Sequence, residues 1–423
     1  MSVTDPPPPT HAEARGALFY DPRLWADMDA WHARVRELRE TEGIVLVDDP
    51  GYAPFHVLLR HSDVFAVSRD NTGWLNTAQS VLGPDSDWVE LVNSGMPPPA
   101  SLVQLDGTKH RDHRQVANDW FKPAVVGKRQ PRIDQICDEF IAKLRDLGGS
   151  CDFAKDIAQP YTLRVIMDIY GVPEEDEHLM LELTQGIFGA ADPEFLGDAD
   201  DPGQKLLASI MQFIQYFNQL TEDRRACPAD DLASVIANGT IDGELMADQE
   251  RLWYYIIVAT AGHDTTSFAL SGGMEQLARQ PEQLWAMRDE PELVVNAAEE
   301  VIRYTTPVRH FLRWASEARR VADVEVPAGG RVLLCYPSAN RDPAVFTDPD
   351  TFDVRRPDAD RLFSFGGGAH FCLGAQFARR EVRTMLGRLS QELDHVEVAG
   401  EVSYAQSHFV SGVKHLPIEY RFR

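Results

Sequence analysis

One cysteine of this chain has sequence neighbours that favour chemistry over simple packing. Cys372 follows Gly366 to Gly368 and precedes Gly374, so the surrounding backbone carries few side chains and can approach a flat, bulky group closely. Apolar residues recur at helical spacing from Ala375, which predicts a helix N-terminus beside the sulfur, where free backbone N–H groups stabilise a thiolate. The alternatives are a small buried hydrophobic residue, which is the usual role of a lone cysteine, and a redox sensor.

The other four cysteines and the overall charge exclude several classes of protein. No CxxC pair occurs among Cys137, Cys151, Cys227 and Cys335, so neither a disulfide framework nor a cysteine-based zinc site is predicted. We therefore expect a reducing, cytoplasmic location. The net charge of −25 opposes general binding to nucleic acids or anionic membranes. The run Pro6 to Pro9 near the start is not typical of a signal peptide or a membrane anchor.

A second unusual stretch interrupts the longest predicted helix, Gly243 to Arg279, whose apolar centre indicates burial. Within it, Gly262 costs about 1 kcal/mol relative to alanine, and the Thr265 hydroxyl can bond back to the carbonyl four residues earlier. A local cost without a local benefit indicates a function, with a polar helix kink as the alternative.

The remaining pattern predicts a mainly α protein with small β-sheets. Further helices are predicted over Asp134–Leu147, Leu206–Leu220 and Glu292–Tyr304, and another follows Cys372. Strands are predicted over Phe311–Ala315, Val321–Val326 and Arg331–Tyr336, followed by an irregular stretch from Asp342 to Asp360. Length alone suggests two or three domains.

Together these motifs resemble the cytochrome P450 family, the haem-thiolate monooxygenases. The ligand signature of that family is matched by Phe365, Gly366, Gly368, His370, Cys372 and Gly374. The resemblance runs from about Ala17 to the C-terminus, which implies one catalytic domain over residues 17–423 behind a flexible Pro-rich tail of residues 1–16. It implies that haem b lies between the long central helix and the cysteine loop, with Cys372 as the axial iron ligand. A thiolate ligand pushes electron density onto iron and favours O–O cleavage.

The resemblance also assigns residues around the cofactor. Asp264 and Thr265 match the acid and alcohol that deliver protons during oxygen activation, whereas His263 occupies a variable position and receives no role. Cations suit haem propionates, and four residues match such positions: His110, Arg114, Arg313 and His370. Before His110, the segment Asp106-Gly107-Thr108-Lys109 replaces the family's usual Asp-Pro-Pro lead-in.

A structural network is implied beside the cofactor. Glu300 and Arg303 are spaced i, i+3 on one helix face, and Arg356 matches the third member of the family's network. An ordinary helical surface pair is the alternative. The resemblance implies that these residues hold the haem-side core together.

The reaction implied is insertion of one oxygen atom of O₂ into a C–H bond. No Gly-rich dinucleotide fingerprint follows a strand, so electrons are expected from a ferredoxin with an NAD(P)H-dependent reductase. The basic residues expected beside the thiolate, against a solvated-surface alternative, are Lys109, Arg111, His113, Arg114, Lys122, Arg379 and Arg380.

The substrate is expected to be small, cyclic and apolar, either a monoterpenoid or an alkyl-aromatic. Four segments resemble the terpineol-hydroxylating bacterial branch: Trp120–Pro123, Ala261–Ser267, Tyr336–Asn340 and Phe409–Gly412. The expected pocket walls are Leu75, Leu102, Val103, Ala261, Val308, Phe311, Phe409 and Val410. Three alternatives stay open: a steroid or bulkier lipid hydroxylase, a peroxide-driven peroxygenase, and a non-catalytic haem carrier or sensor.

Overall fold

The structure is a computed structural model that describes residues 13–77, 79–87, 89, 101–188, 192, 194 and 202–423. The helices are α1 Glu13–Tyr20, α2 Met28–Thr41, α3 His61–Arg69, α4 Gly107–Asn118, α5 Pro123–Lys128, α6 Gln130–Asp146, α7 Gln159–Tyr170, α8 Glu177–Phe188, α9 Pro202–Ala226, α10 Leu232–Ala237, α11 Asp248–Arg279, α12 Pro281–Asp289, α13 Leu293–Thr305, α14 Tyr336–Ala339 and α15 Ala375–Glu392. The predicted tail, residues 1–16, lies largely outside the described residues, and α1 covers its last positions.

The strands are short and form separate small sheets. They are β1 Ile44–Val47, β2 Phe55–Leu58, β3 Trp74–Leu75, β4 Ser150–Asp152, β5 Thr240–Ile241, β6 Glu244–Leu245, β7 His310–Ala315, β8 Arg319–Val321, β9 Val324–Val326, β10 Arg331–Cys335, β11 Leu393–Val398, β12 Ser403–Tyr404, β13 Val413–His415 and β14 Pro417–Phe422. The mainly α prediction with small sheets is confirmed.

The largest sheet joins strands from the first 75 residues with strands between residues 310 and 335, in the order β1-β2-β10-β7-β3. Strand β10 pairs in parallel with β2 on one side and antiparallel with β7 on the other. All five residues of β10 are buried, as expected for a strand covered on both faces. Helices α13 and α14 flank strands β7 and β10 in sequence.

Two predicted boundaries were wrong, and turns explain both. The long helix begins at Asp248 rather than Gly243, because strands β5 and β6 form a hairpin through Asp242 and Gly243, which both have positive φ. The single strand predicted over 321–326 is instead parts of β8 and β9. Ala322 adopts a φ of 48°, which reverses the chain so that Val321 pairs with Val324.

Helix α11 crosses the molecule between α7 and α13. A Cβ at Gly262 would lie 2.8 Å from Cδ1 of Ile166 on α7, and a Cβ at Gly273 would lie 2.7 Å from Cγ1 of Val301 on α13. Both glycines therefore allow close helix packing. The cost of Gly262 within α11 is thus accompanied by close packing against α7, a helix distant in sequence.

Candidate active site

The cysteine loop is held in a turn that requires glycine. The N–H of Cys372 donates to the carbonyl of Phe365 at 2.9 Å, which closes the loop just before α15. Gly366 and Gly368 have φ values of 68° and 66°, a region that favours glycine. A Cβ at Gly368 would lie 2.1 Å from the carbonyl oxygen of Ser68, the penultimate residue of α3. The glycine run therefore serves turn formation and close approach to α3.

The Cys372 sulfur lies at the start of α15, as the sequence predicts. The thiol keeps accessible surface, yet burial by the surrounding protein raises its pKa. Backbone N–H groups of Gly374 and Ala375 and the charges of Arg114 and Arg379 lower that pKa without reversing the net direction.

Four basic side chains predicted from the sequence converge beside this loop. The rings of His110 and His370 have centroids 4.0 Å apart. Arg114, one turn after His110 on α4, donates to the carbonyl of Phe371 at 2.7 Å. Arg313 of β7 is buried and donates to the carbonyl of Leu312 at 2.8 Å.

This basic cluster has an excess of positive charge over nearby carboxylates. Burial and the charges of His370 and Arg114 lower the pKa of His110 to about 4. The buried Nε2 atom of His110 has no hydrogen-bond partner among the described residues. Within the residues that the structure describes, no carboxylate oxygen lies within 4 Å of the guanidinium of Arg114 or Arg313. Oδ1 of Asp106 is 3.9 Å from Nε2 of His370. The cluster is suited to bind carboxylates of a ligand.

The central helix presents the residues of its polar stretch in different directions. Ala261 is exposed and Thr265 is half-buried, although most of α11 around them is buried. The Thr265 hydroxyl donates to the carbonyl of Ala261 at 2.9 Å, the back-bond predicted from the sequence. Asp264 is 3.0 Å from the Nδ1 atom of His263, a fully buried residue for which the family resemblance implies no role.

The predicted network forms in the core. Arg303 donates two hydrogen bonds to the Glu300 carboxylate, at 2.6 and 2.8 Å, and Arg356 donates a third at 3.1 Å. Arg303 also donates to the carbonyl of Asn340 at 2.7 Å. All three charged side chains are buried, so the surface-pair alternative is excluded.

Half of the predicted pocket walls form one aromatic and aliphatic cluster. Val308 and Val410 pair in an isolated β-bridge, and the rings of Phe311 and Phe409 meet edge to face with centroids 5.4 Å apart. Phe268 of α11 packs against this group. Of the other predicted walls, Ala261 lies on the exposed part of α11, Leu75 on β3, Leu102 in the main core, and Val103 is half-buried.

A comparison with protein-family models decides the family. Residues 6–403 match the model described as Cytochrome P450. The chain belongs to the cytochrome P450 family. Members of this family carry haem b on a cysteine thiolate, and relatives named as monooxygenases support the same enzyme class here.

Individual relatives of this cytochrome P450 cover between 77% and 98% of the chain. Cytochrome P450-terp from Pseudomonas sp is 35% identical over 409 residues, 94% of this chain and 95% of the relative. A Steroid C26-monooxygenase from Mycolicibacterium smegmatis is 32% identical over 332 residues, 77% of this chain and 80% of the relative. The crystal structure of CYP108D1 from Novosphingobium aromaticivorans superposes with a TM-score of 0.90 at 36% identity, covering 98% of this chain and 99% of that one.

The residues present fit the haem of the family. Nε2 of His110 has no hydrogen-bond partner among the described residues, and the basic cluster around it has few carboxylates nearby. This arrangement is suited to bind the two haem propionates. The Cys372 thiol suits the iron, and the exposed surface of Ala261 and Thr265 gives α11 an accessible patch in an otherwise buried stretch. Among the described residues, no helix is long and apolar enough to span a bilayer.

Proposed function

We propose that this cytochrome P450 inserts one oxygen atom of O₂ into a C–H bond of a small, apolar, cyclic substrate, a monoterpenoid or an alkyl-aromatic, with electrons from a separate ferredoxin. The observation that carries this proposal is the wall formed by Val308, Phe311, Phe409 and Val410. Aliphatic and aromatic side chains of this kind bind a substrate by burying its apolar surface. The resemblance to the terpineol-hydroxylating branch supports the same substrate class.

Each residue of the site has a distinct part in this proposal. Cys372 would ligate the iron, while His110, Arg114, Arg313 and His370 would bind the propionates. The haem, when bound, supplies the activation of O₂ and the transfer of one oxygen atom to the substrate.

On α11, Asp264 and Thr265 would hold and move the protons that this chemistry consumes. The Thr265 hydroxyl donates its own hydrogen to Ala261, so its oxygen is free to accept a hydrogen bond from the half-exposed side of α11.

The electron donor is proposed to dock on the basic residues beside the cysteine loop. Several of their charges are partly neutralised: Lys109 and His113 both contact Glu250, and Arg379 donates to Glu299. Arg111, the most exposed of the side chains that make ion pairs here, is 3.4 Å from Asp112. It is therefore a better probe of docking than Arg379, whose partner belongs to the protein core.

Docking is tested by reversing the charge at Arg111. We expect Arg111→Glu to raise the KM for ferredoxin several-fold at low ionic strength, with the difference shrinking as salt is added. Arg320→Glu, an exposed change on the β8–β9 hairpin, is the matched control and should leave KM unchanged. Equal KM values for both variants and the unmodified enzyme would contradict docking at this surface.

The substrate class is tested by optical titration of the haem-loaded enzyme. The reduced carbon-monoxide difference band should show thiolate ligation and should be lost in Cys372→Ser. Monoterpenoids and alkyl-aromatics should shift the spin state at lower concentrations than steroids do. Tighter binding of a steroid by tenfold or more would favour the second candidate instead.

That second candidate, a steroid or bulkier lipid hydroxylase, rests on the similarity to the Steroid C26-monooxygenase. This similarity covers a smaller share of the chain than the similarity to Cytochrome P450-terp does. A peroxide-driven enzyme would not need Asp264 and Thr265. Turnover with hydrogen peroxide that matches the rate of the ferredoxin-supported reaction would contradict the O₂-dependent proposal.

A further inference from the structure

Two histidines bind the chain around Leu82 beside the proposed substrate wall. The backbone N–H of Leu82 donates to Nε2 of His310 on β7 at 3.1 Å. The Leu82 carbonyl lies 2.8 Å from Nε2 of His408, and the His408 carbonyl lies 3.1 Å from Nδ1 of His310. These three contacts, which we call the histidine clamp, join β7, the chain between β3 and α4, and the loop between β12 and β13.

The contacts of the clamp determine where the ring hydrogens lie. A backbone N–H is always a donor, so Nε2 of His310 accepts from Leu82 and carries no hydrogen. The hydrogen of the His310 ring is therefore on Nδ1, which faces the His408 carbonyl. Nε2 of His408 faces a carbonyl and carries hydrogen, whereas its buried Nδ1 has no hydrogen-bond partner among the described residues. The geometry thus requires two neutral rings in opposite tautomers.

A second proton on either ring would break this arrangement. On His310 it would place an N–H against the N–H of Leu82, and on His408 it would bury a donor without an acceptor. The rings are also stacked, with centroids 5.7 Å apart, so two positive charges would repel each other. Burial and the His408 ring lower the pKa of His310 well below its ordinary value, and burial lowers the pKa of His408.

The clamp also contacts the ring of Phe409, a residue of the proposed wall. The ring of His310 meets that of Phe409 with centroids 5.6 Å apart and an angle of 64° between the planes. On either side of Leu82 the chain has backbone hydrogen bonds of its own, at Ser80 and Asp85. Loss of the clamp would therefore release Leu82 and Phe409 locally while these flanking contacts hold the rest of the segment.

The titratable groups on the elements around the two rings have other partners. Cys335 of β10 pairs in register with His310, and burial raises the pKa of its thiol to about 12. The other charged or phenolic groups on these elements are bound elsewhere: Asp85, Asp192, Arg309, Arg331 and Tyr404. Among the ion pairs of the described residues, none includes His310 or His408. The charge of the clamp therefore depends on these two histidines.

We propose that His310 and His408 are positioning residues that hold Leu82 and Phe409 at the substrate site only while both rings are neutral, so that acid weakens substrate binding. This inference rests on the substrate wall of the proposed function. When the clamp opens, each ring can take up one proton from solvent, and only hydrogen bonds are broken. The clamp is therefore favoured above about pH 6.5, where a free histidine is neutral, and it is lost as the pH falls. With both rings taking part, the dissociation constant for substrate should rise by up to about a hundredfold per pH unit in the acidic range.

The two tautomers can be measured without substrate. In the ferrous carbon-monoxide form of the enzyme, which is diamagnetic, ¹⁵N-histidine NMR at neutral pH should show His310 with hydrogen on Nδ1 alone. His408 should carry hydrogen on Nε2 alone. The signals are assigned by their loss in His310→Gln and His408→Gln. A hydrogen on Nε2 of His310 at neutral pH would overturn the inference.

Glutamine variants can keep the contacts to Leu82 but cannot take up a proton. The amide oxygen in His310→Gln can accept from the N–H of Leu82, and the amide N–H in His408→Gln can donate to its carbonyl. We expect the double glutamine variant to bind substrate at neutral pH nearly as tightly as the unmodified enzyme does. On acidification, its dissociation constant in spin-shift titrations should rise less.

The comparison between variants isolates the clamp from the other histidines. His110, His370 and His415 are present in every variant, so their titration cancels in the difference. His395→Gln, an exposed change on β11, is the matched control and should show the pH dependence of the unmodified enzyme. A double glutamine variant with that same pH dependence would overturn the inference.

A leucine variant separates the clamp from the wall itself. His310→Leu removes the acceptor of the Leu82 N–H, so hydrogen exchange at Leu82 should become at least tenfold faster and substrate should bind roughly tenfold more weakly. If exchange is faster but substrate affinity is unchanged both here and in Phe409→Ala, the proposed substrate wall fails and the inference fails with it. If Phe409→Ala weakens binding while His310→Leu changes neither exchange nor affinity, the wall stands and the inference about the histidines fails.

Discussion

The two sides of the proposed haem site are built by different kinds of contact. On the proposed ligand side, Glu300, Arg303 and Arg356 are buried and joined by directional hydrogen bonds between charged groups. On the proposed substrate side, the rings of Phe311 and Phe409 pack edge to face. Directional bonds specify one geometry, whereas apolar contacts tolerate substitution when volume is kept. The ligand side is therefore expected to be rigid and the substrate side adaptable.

Asn340 extends the rigid side towards the cysteine loop. Its amide donates to the hydroxyls of Thr306 and Ser364, both at 2.8 Å, and its side-chain oxygen accepts from the N–H of Phe363 at 2.5 Å. This one side chain thus joins the residue after α13 to the segment that leads into the glycine loop. Because its donors and acceptor are satisfied in the core, the position of the loop is set before any cofactor contact.

The proposed substrate side also has polar contacts, but these join histidine side chains to backbone groups rather than to charged side chains. The N–H of Leu82 donates to Nε2 of His310 at 3.1 Å, and Nε2 of His408 donates to the Leu82 carbonyl at 2.8 Å. These histidines neighbour Phe311 and Phe409 in sequence. The wall is thereby fixed to the chain around Leu82.

The largest expected effect comes from breaking the buried network. Arg303→Ala leaves the Glu300 carboxylate with only Arg356 and the N–H of Asp353, and should lower the free energy of unfolding by about 3–5 kcal/mol. Chemical denaturation of the haem-loaded enzyme measures this. Arg355→Ala, which breaks an exposed pair with Glu290, is the control and should leave the unfolding midpoint unchanged. Similar losses in the free energy of unfolding for both variants would show that the buried network stabilises the fold no more than an exposed ion pair does. The ligand side would then not be distinguished by its network.

A second test addresses the glycine loop. Gly368→Ala introduces a side chain at a positive φ, which costs about 1–2 kcal/mol, and the Ser68 carbonyl leaves no room for the new Cβ. We expect a lower unfolding midpoint and less haem bound per protein. Gly387→Ala in α15, where a Cβ meets Val294 at an ordinary 3.8 Å, should be neutral or slightly stabilising. Full haem occupancy in Gly368→Ala would refute the argument.

On the proposed substrate side, we expect a substitution to change the affinity for substrate more than the free energy of unfolding. Phe409→Ala removes half of the edge-to-face pair and should weaken substrate binding by about tenfold, a loss near 1.4 kcal/mol, in spin-shift titrations. Because Phe409 is only half-buried, the unfolding midpoint should fall less than it does in Arg303→Ala. Phe65→Ala, an exposed change on α3, serves as the control. Unchanged affinity in Phe409→Ala would place the substrate elsewhere.

The smallest effect is expected at His415 on β13. Burial lowers the pKa of this histidine, but hydrogen bonds to Asp152 and Glu194 outweigh burial and raise it. A raised folded-state pKa stabilises the protein fully below the unfolded value near 6.5, and the contribution disappears as pH rises through the folded value. The free energy of unfolding lost in His415→Gln should be below about 1 kcal/mol and should vanish at alkaline pH. A difference that grows with pH would contradict this sign.

Residues with distinctive chemistry at fixed spacing were predictable from the sequence. The cysteine loop, the basic cluster and the pair of Glu300 with Arg303 all depend on local spacing, and the structure brings their members together. The contacts of Asn340 with Thr306 and Ser364, and of His263 with Gln159, were missed because these partners are distant in sequence. The β8–β9 turn was missed because alanine rarely adopts a positive φ, so nothing in the residue type indicated it.

The largest sheet has a consequence for how the chain is made. Arg331 at the start of β10 donates to the carbonyl of Ala53, a residue 278 positions earlier, and β2 acquires β10 as its parallel neighbour in the same region. At synthesis rates of about 5–20 residues per second, roughly 15–55 s pass between the synthesis of β2 and that of β10. During this time the edge of β2 is open to pairing with other chains. Slower translation before Arg331 should therefore increase the demand for chaperones.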